Sequence, residues 1–181
     1  MKNFYKINSC RICGSKKLLK IVDLKKQYIQ GSFIKKNYPK PFSKKIPLVL
    51  VLCKKCSLVQ TSYTINKNLL YNNYWYSSGI NLTMKNHLKG LASEVKKIFS
   101  KSKSKIKILD IGCNDGTLLK YFNNQFKKYG IDPSQITNKI NNKNIKVFND
   151  FFPPKKTELK NMKIKFNIIT SIAMFYDIDD P

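Results

Sequence analysis

Apolar residues change their spacing twice along the chain, and each change marks a different kind of element. Up to about residue 62 the apolar runs are short, Leu48 to Leu52 and Leu58 to Gln60, with no long helical period, so short strands are expected. Between residues 63 and 80 the aromatics Tyr63, Tyr71, Tyr74, Trp75 and Tyr76 cluster and end in Ser77-Ser78-Gly79. From Asn81 the spacing is helical. Leu82, Met84, Leu88, Leu91, Val95 and Ile98 fall on one face, and the Asn81 side chain is placed to accept one of the unpaired N–H groups of the first turn. This predicts an amphipathic helix ending near Phe99, followed by a solvated connector of alternating Lys and Ser from Lys101 to Lys105.

Beyond the connector, strand and helix patterns alternate. Ile106 to Ile111 reads as a buried strand, and Gly112-Cys113-Asn114-Asp115-Gly116 as a turn. Leu118, Leu119, Phe122 and Phe126 then make one apolar helical face. Tyr129 to Asp132 is a second short strand, Ser134 to Ile140 a short helix, Ile145 to Phe148 a third strand and Phe166 to Ile172 a fourth. Strands separated by helical patterns imply right-handed crossovers and a parallel sheet, an α/β architecture. The expected organisation is residues 1–62, a connector with helix over 63–100, and the parallel-sheet segment over 101–181, with no internal repeat.

The length, 181 residues, suffices for a medium domain plus a small one, and 42% apolar with 25% charged residues is an ordinary globular balance. The longest apolar stretch, Leu48 to Cys53, is far too short to cross a bilayer, and Met1 to Cys10 lacks a signal-peptide core, so a cytoplasmic protein without a membrane partner is expected. The formal net charge of +25 first suggests nucleic acid. Every basic residue except Arg11 is Lys, however, and the lysines are spread along the whole chain. Sequence readout leans on bidentate Arg, so the charge is read as compositional and no specific nucleic-acid partner is expected. The sparse acids carry more information: Asp110, Asp132, Asp150 and Asp177 each follow or end an apolar run.

Four of the five cysteines form two C-x-x-C pairs, Cys10-Arg11-Ile12-Cys13 and Cys53-Lys54-Lys55-Cys56. Two residues between cysteines let both sulfurs reach one ion, and four such ligands make a closed tetrahedral site for structural Zn2+ with no open position for catalysis. A pair of disulfides is disfavoured in a cytosolic chain, and a thioredoxin-like redox pair calls for one motif at a helix start. Cys113 stands apart.

The turn that begins Asp110-Ile111-Gly112 follows a strand and opens a helix, the context in which a glycine turn borders a ligand. Its spacing is not that of a dinucleotide fingerprint, and no Lys-Ser/Thr follows as in a P-loop, which argues against a phosphate cradle. It matches the acidic turn that borders the methionine part of S-adenosylmethionine (SAM), with Gly112 and Gly116 allowing close approach and Asn114 tolerant of left-handed backbone. Asp132 at the end of the second strand is placed to accept from ribose hydroxyls. Asp150 falls where adenine would lie, with Phe151 and Phe152 able to pack on its ring. The alternative is that these acids cap loops.

The order C-R-x-C-G, V-L-C-x-x-C-S-L-V-Q, Y-W-Y-S-S-G-I-N-x-T-M, L-D-I-G-C-N-D-G-T-L-L, G-I-D-P-S and N-D-F-F resembles the SAM-dependent nucleotide-sugar C-methyltransferases, over nearly the whole chain. The resemblance implies a small N-terminal zinc-binding domain followed by the first half of a Rossmann-like class I methyltransferase sheet. It implies SAM contacts from Asp110, Gly112, Asn114, Gly116 and Asp132, and a cleft near SAM and the nucleotide-sugar substrate lined by Tyr74, Tyr76 and Ser78. The tyrosines have a plainer alternative as packing aromatics. Some members carry a His about where Asp177 falls, and such a sheet has about three more strands, so the chain to Pro181 is expected to be an N-terminal portion whose general base lies further on. His87, the only histidine, is expected to pack or line the cleft. Alternative readings are a zinc-ribbon RNA methyltransferase and a non-catalytic zinc- and SAM-binding module.

Overall fold

A computed structural model describes residues 3–31, 45–71, 74–155 and 158–178. The chain forms two compact units, Met1–Asn73 with Asp177–Pro181, and Tyr74–Tyr176. Pro181 lies outside the described residues.

In the first unit β1 (Phe4–Lys6) is followed by β2 (Leu18–Gln27), β3 (Ile46–Cys53), β4 (Val59–Thr61), β5 (Tyr63–Ile65) and the short α1 (Lys67–Tyr71). The apolar run around Leu48–Leu52 becomes the middle strand of an antiparallel sheet ordered β2-β3-β4, with Leu18 opposite Cys53 and Leu50 opposite Thr61. The tight return between β3 and β4 is the second cysteine pair, so the sheet itself presents that knuckle. Tyr63 belongs to a strand: β5 pairs with β1, Lys6 opposite Tyr63. The buried apolar set among the described residues of this unit is small, Cys10, Ile29, Ile46, Val51 and Cys53, and β2 is exposed along nearly its whole length.

The second unit carries α2 (Leu82–Ile98), β6 (Ile106–Ile111), α3 (Thr117–Lys120), β7 (Phe126–Ile131), β8 (Ile145–Phe148) and β9 (Ile168–Ser171). Asn81 caps α2 as its position predicts, its Oδ1 accepting the Met84 N–H at 3.1 Å. The helix buries Leu88 and Ala92 against Ile106, Ile108, Leu118 and Leu119. His87 does not pack in that core; it is exposed on α2, next to the buried face and not part of it. Among the described residues no helix is long and apolar enough to cross a membrane.

The four strands form a parallel sheet in the order β8-β7-β6-β9. From β6 the chain moves outward through β7 to β8 and then crosses to the other side of β6, so the topological switch lies between β6 and β9. In open parallel sheets that point, at the carboxyl ends of the strands, is where ligands sit.

The helix expected through Phe126 ends at Lys120 instead. Phe126 opens β7 opposite Ile106, although it shares the core cluster of Leu118, Leu119 and Phe122 that the periodicity identified. Two amines take up carbonyls released by the early stop: Lys96 Nζ donates to the Tyr121 carbonyl at 3.1 Å and the buried Lys128 Nζ to that of Phe122 at 2.9 Å. Asn123 then accepts the Gln125 N–H and turns the chain into the strand. Near the end of β7, Gly130 lies under Cys113: a Cβ there would fall 2.6 Å from the Cys113 sulfur, so only glycine permits this packing.

Candidate functional site

The first unit brings the two cysteine pairs together. The Sγ atoms of Cys10, Cys13, Cys53 and Cys56 all lie within 4.8 Å of one another, with Cys10–Cys56 at 3.6 Å and Cys13–Cys53 at 3.5 Å. An ion bonded to four sulfurs at ~2.3 Å sets neighbouring sulfurs about 3.8 Å apart, so these spacings fit a tetrahedral zinc centre. The knuckles match in backbone too. Gly14 N donates to the Cys10 carbonyl and Ser57 N to that of Cys53, and both Gly14 (φ +68°) and Ser57 (φ +62°) are left-handed.

The surroundings favour thiolate at two positions. Burial raises the Cys10 thiol, but the backbone N–H groups of Cys13 and Ile12, with Gln60, bring it down to about 6. The Cys56 amide, against burial, leaves Cys53 below its ordinary value. Cys56, despite the Leu58 amide, is pushed up to about 12 by burial and by the neighbouring sulfurs Cys13, Cys10 and Cys53. Without a cation the four sulfurs cannot share full negative charge; a divalent ion removes that conflict. Arg11 anchors the first knuckle to the sheet, donating to Gln60 Oε1, the Thr61 carbonyl and Thr64 Oγ1.

In the second unit Asp110, Asp132 and Asp150 stand at or just past the ends of three adjacent strands, and all are buried. Between the first two runs the glycine turn, in which Gly112, Asn114 and Gly116 are all left-handed, at φ +74°, +52° and +69°. Asp110 accepts from Thr170 Oγ1 of β9 at 2.7 Å, across the switch point. Burial, helped by the Asp132 charge and opposed by that hydrogen bond, pushes the Asp110 carboxyl up to about 7. Asp132 Oδ2 accepts the Asn114 N–H at 3.0 Å, while its Oδ1 accepts Ser134 N and Oγ at 2.8 and 2.5 Å.

The segment from Tyr76 to Gly79 is fastened onto this turn. Asn114 Nδ2 donates to the Tyr76 carbonyl at 3.0 Å and its Oδ1 accepts the Ser78 N–H at 2.9 Å. Asp115 Oδ2 accepts Ser77 Oγ at 2.5 Å and the Gly79 N–H at 2.7 Å, and its Oδ1 accepts Thr117 N and Oγ1. Burial opposes ionisation of Asp115, but the donors Ser77, Thr117 and Gly79 outweigh it and hold the carboxyl below its ordinary value.

A family model described as "Methyltransferase domain" matches residues 84–181, more than half of the chain. The chain belongs to this methyltransferase family. A second model, "Putative zinc binding domain", matches residues 10–71 and so contains all four clustered cysteines. No curated protein matches the chain. The methyltransferase is thus an α/β protein with a four-cysteine zinc-binding region at its N-terminus and a parallel sheet typical of a Rossmann-like methyltransferase core.

Within the methyltransferase the structure gathers Asp110, Gly112, Asn114, Gly116 and Asp132 around one turn. It also alters how several of these residues act. Gly112 does not face empty space: a Cβ there would meet Met174 Cγ at 2.8 Å, so the substitution Gly112→Val first displaces Met174. Asp150 accepts the Phe151 and Lys155 N–H groups, each at 2.9 Å, and so caps the loop after β8. Tyr74, Tyr76 and Ser78 are half-buried, and Tyr76 meets Trp75 edge to face at 5.9 Å. Phe151 is also half-buried.

Asp115, Ser77 and Thr117 are the residues that sequence reasoning passed over. The available signal was a buried-type acid beside a hydroxyl-rich S-S-G, but its meaning depends on a contact between distant segments. A cavity of about 430 Å³ flanks the fastened segment, lined by Ser77, Gly79, Asp115 and Thr117 together with Lys85 and Lys120. Its lining does not include Asp110, Gly112 or Asp132.

Proposed function

We propose that this methyltransferase uses SAM, bound over the Gly112–Gly116 turn, to methylate a carbon of a nucleotide-linked keto sugar, and that Cys10, Cys13, Cys53 and Cys56 hold a structural Zn2+. The observation that carries the SAM reading is the pair of buried acids, Asp110 and Asp132, flanking a turn with three left-handed residues at the switch point of a parallel sheet. When bound, SAM supplies an electrophilic methyl group. The chain's own residues bind and orient it. The second lone pair of Asp132 Oδ2 accepts from ribose, Asp110 places a carboxyl at the end of β6, and Phe151 offers a ring beside Asp150 for adenine. Tyr74, Tyr76 and Ser78 line the substrate side and exclude water. Methylation at carbon next to a carbonyl needs a base to remove a proton, and no residue described here is assigned that role. β9 is an edge of the sheet among the described residues, with Ile169 60% exposed on a face that parallel sheets normally cover, and this reading expects further chain against it.

Calorimetry with SAM or its demethylated product tests the assignment. Asp132→Ala should weaken binding roughly ten- to hundred-fold, the loss of about 1.5–3 kcal/mol expected for hydrogen bonds to a charged acceptor. Asp132→Asn keeps one acceptor oxygen for Ser134 and separates loss of charge from loss of the turn. The reading fails if the protein binds neither ligand, or if both variants bind like wild type.

The sugar reading also expects the positive charge to be non-specific. Most described lysines are exposed and spread over both units. Short RNAs should therefore bind weakly, with strong salt dependence and no sequence preference. A tight, sequence-selective RNA complex at physiological salt would favour the zinc-ribbon RNA methyltransferase instead.

A further inference from the structure

Asn114 was expected to touch the cofactor, yet both polar atoms of its side chain are engaged by the Tyr76–Gly79 segment, and Asp115 Oδ2 takes two more donors from the same segment. This segment lies outside every strand and helix of the second unit, so these contacts stand in for regular pairing. Four hydrogen bonds of 2.5–3.0 Å join it to two adjacent turn residues, and Ser77 and Asp115 are both buried. The fit is close at the far end: a Cβ on Gly79 would lie 2.7 Å from Asp115 Oδ2 and 2.9 Å from Thr117 Oγ1. A buried polar network whose members are satisfied rigidifies the geometry it joins. The same Asn114 also donates its backbone N–H to Asp132, so one residue joins the segment to the proposed ribose acceptor.

We infer that Asn114 and Asp115 are positioning residues, a clasp that holds the Tyr76–Gly79 strap on the glycine turn and so sets the placement of Tyr76 and Ser78 relative to Asp132. The functional half of this inference rests on the SAM reading; the clasp itself does not.

Trp75, the only tryptophan of the chain, adjoins the strap and is half exposed, so its fluorescence reports strap position directly. In Asp115→Asn one amide oxygen remains for donors that the carboxylate divides between two, Ser77 and Gly79 on one oxygen and Thr117 N and Oγ1 on the other, and the amide N–H group repels whichever pair it faces. Trp75 emission should move to the red and become more open to acrylamide quenching, while far-UV circular dichroism stays that of wild type. Affinity for SAM should fall about ten-fold, the effect of losing one charged hydrogen bond. Gly79→Ala attacks the clasp from the strap side and leaves the turn residues in place. It should give the same Trp75 response, and it decides the matter if Asp115→Asn fails to fold. Unchanged Trp75 emission and quenching in Gly79→Ala overturns the clasp. A released Trp75 with unchanged SAM affinity overturns its positioning role. If the wild-type protein binds no SAM, the cofactor reading falls, and the Trp75 response still decides the clasp.

Discussion

Replacing Cys53 with Ser should abolish stoichiometric zinc and unfold the first unit. Cys53 is fully buried, at the end of β3, and its sulfur stands 3.5 Å from that of Cys13. Serine keeps the size but loses the thiolate, leaving three sulfur ligands. The effect is expected to be large because so little else holds this unit. Five apolar side chains are buried among its described residues, and β2 lies exposed along most of its length. Structural zinc in small domains contributes on the order of 10 kcal/mol to folding, as much as the whole net stability of an ordinary domain. Elemental analysis should find one zinc per wild-type chain and far less in the variant. Hydrogen exchange should show lost protection over β2–β4 while β6 and β7 stay protected. Wild-type protein without zinc, or Cys53→Ser with full zinc, rules out the four-cysteine centre.

The second large effect concerns pH. Asp110 is 4% exposed, and burial foremost raises its carboxyl to about 7, from about 3.9 in an unfolded chain. Between these values the folded protein holds a proton that the unfolded chain has released. Stability is therefore fully present below pH 4, declines as pH rises, and levels off above pH 7. A gap of about three units corresponds to roughly 4 kcal/mol lost across this window. Asp110→Asn keeps an oxygen to accept from Thr170 and cannot ionise. The variant should match wild type near pH 4 and exceed it by a few kcal/mol at pH 8, read from urea midpoints of the second unit. Parallel pH profiles for the two proteins would show that Asp110 titrates normally.

The elements legible in the sequence were those whose cause is local. Asn81 caps α2 because the capping oxygen and the N–H it accepts are three residues apart. β6 and β8 begin and end where their apolar runs do. The cysteine cluster was legible for a related reason: two sulfurs in each pair are already neighbours, and one ion accounts for all four. The end of the helix after the turn was not. Phe126 reaches the same core from a strand as it would from a helix, and the lysines that receive the freed carbonyls come from α2 and β7. Hydrophobic periodicity records which side chains are inside and not which backbone carries them. The clasp is hidden likewise: the resemblance gives Asn114 a SAM contact, while its side-chain partners Tyr76 and Ser78 lie well upstream in the chain.

The packing of Cys113 against Gly130 has a practical consequence. That thiol is 4% exposed, and burial, with the charges of Asp110 and Asp132, keeps it protonated well above the ordinary range. An alkylating reagent needs the thiolate and a path to it, and the closed sheet provides neither. Cys113 is thus a latent label: the rate at which it reacts counts the openings of the β6–β7 pair, and any molecule that settles on the glycine turn will slow that clock by the amount it tightens the sheet.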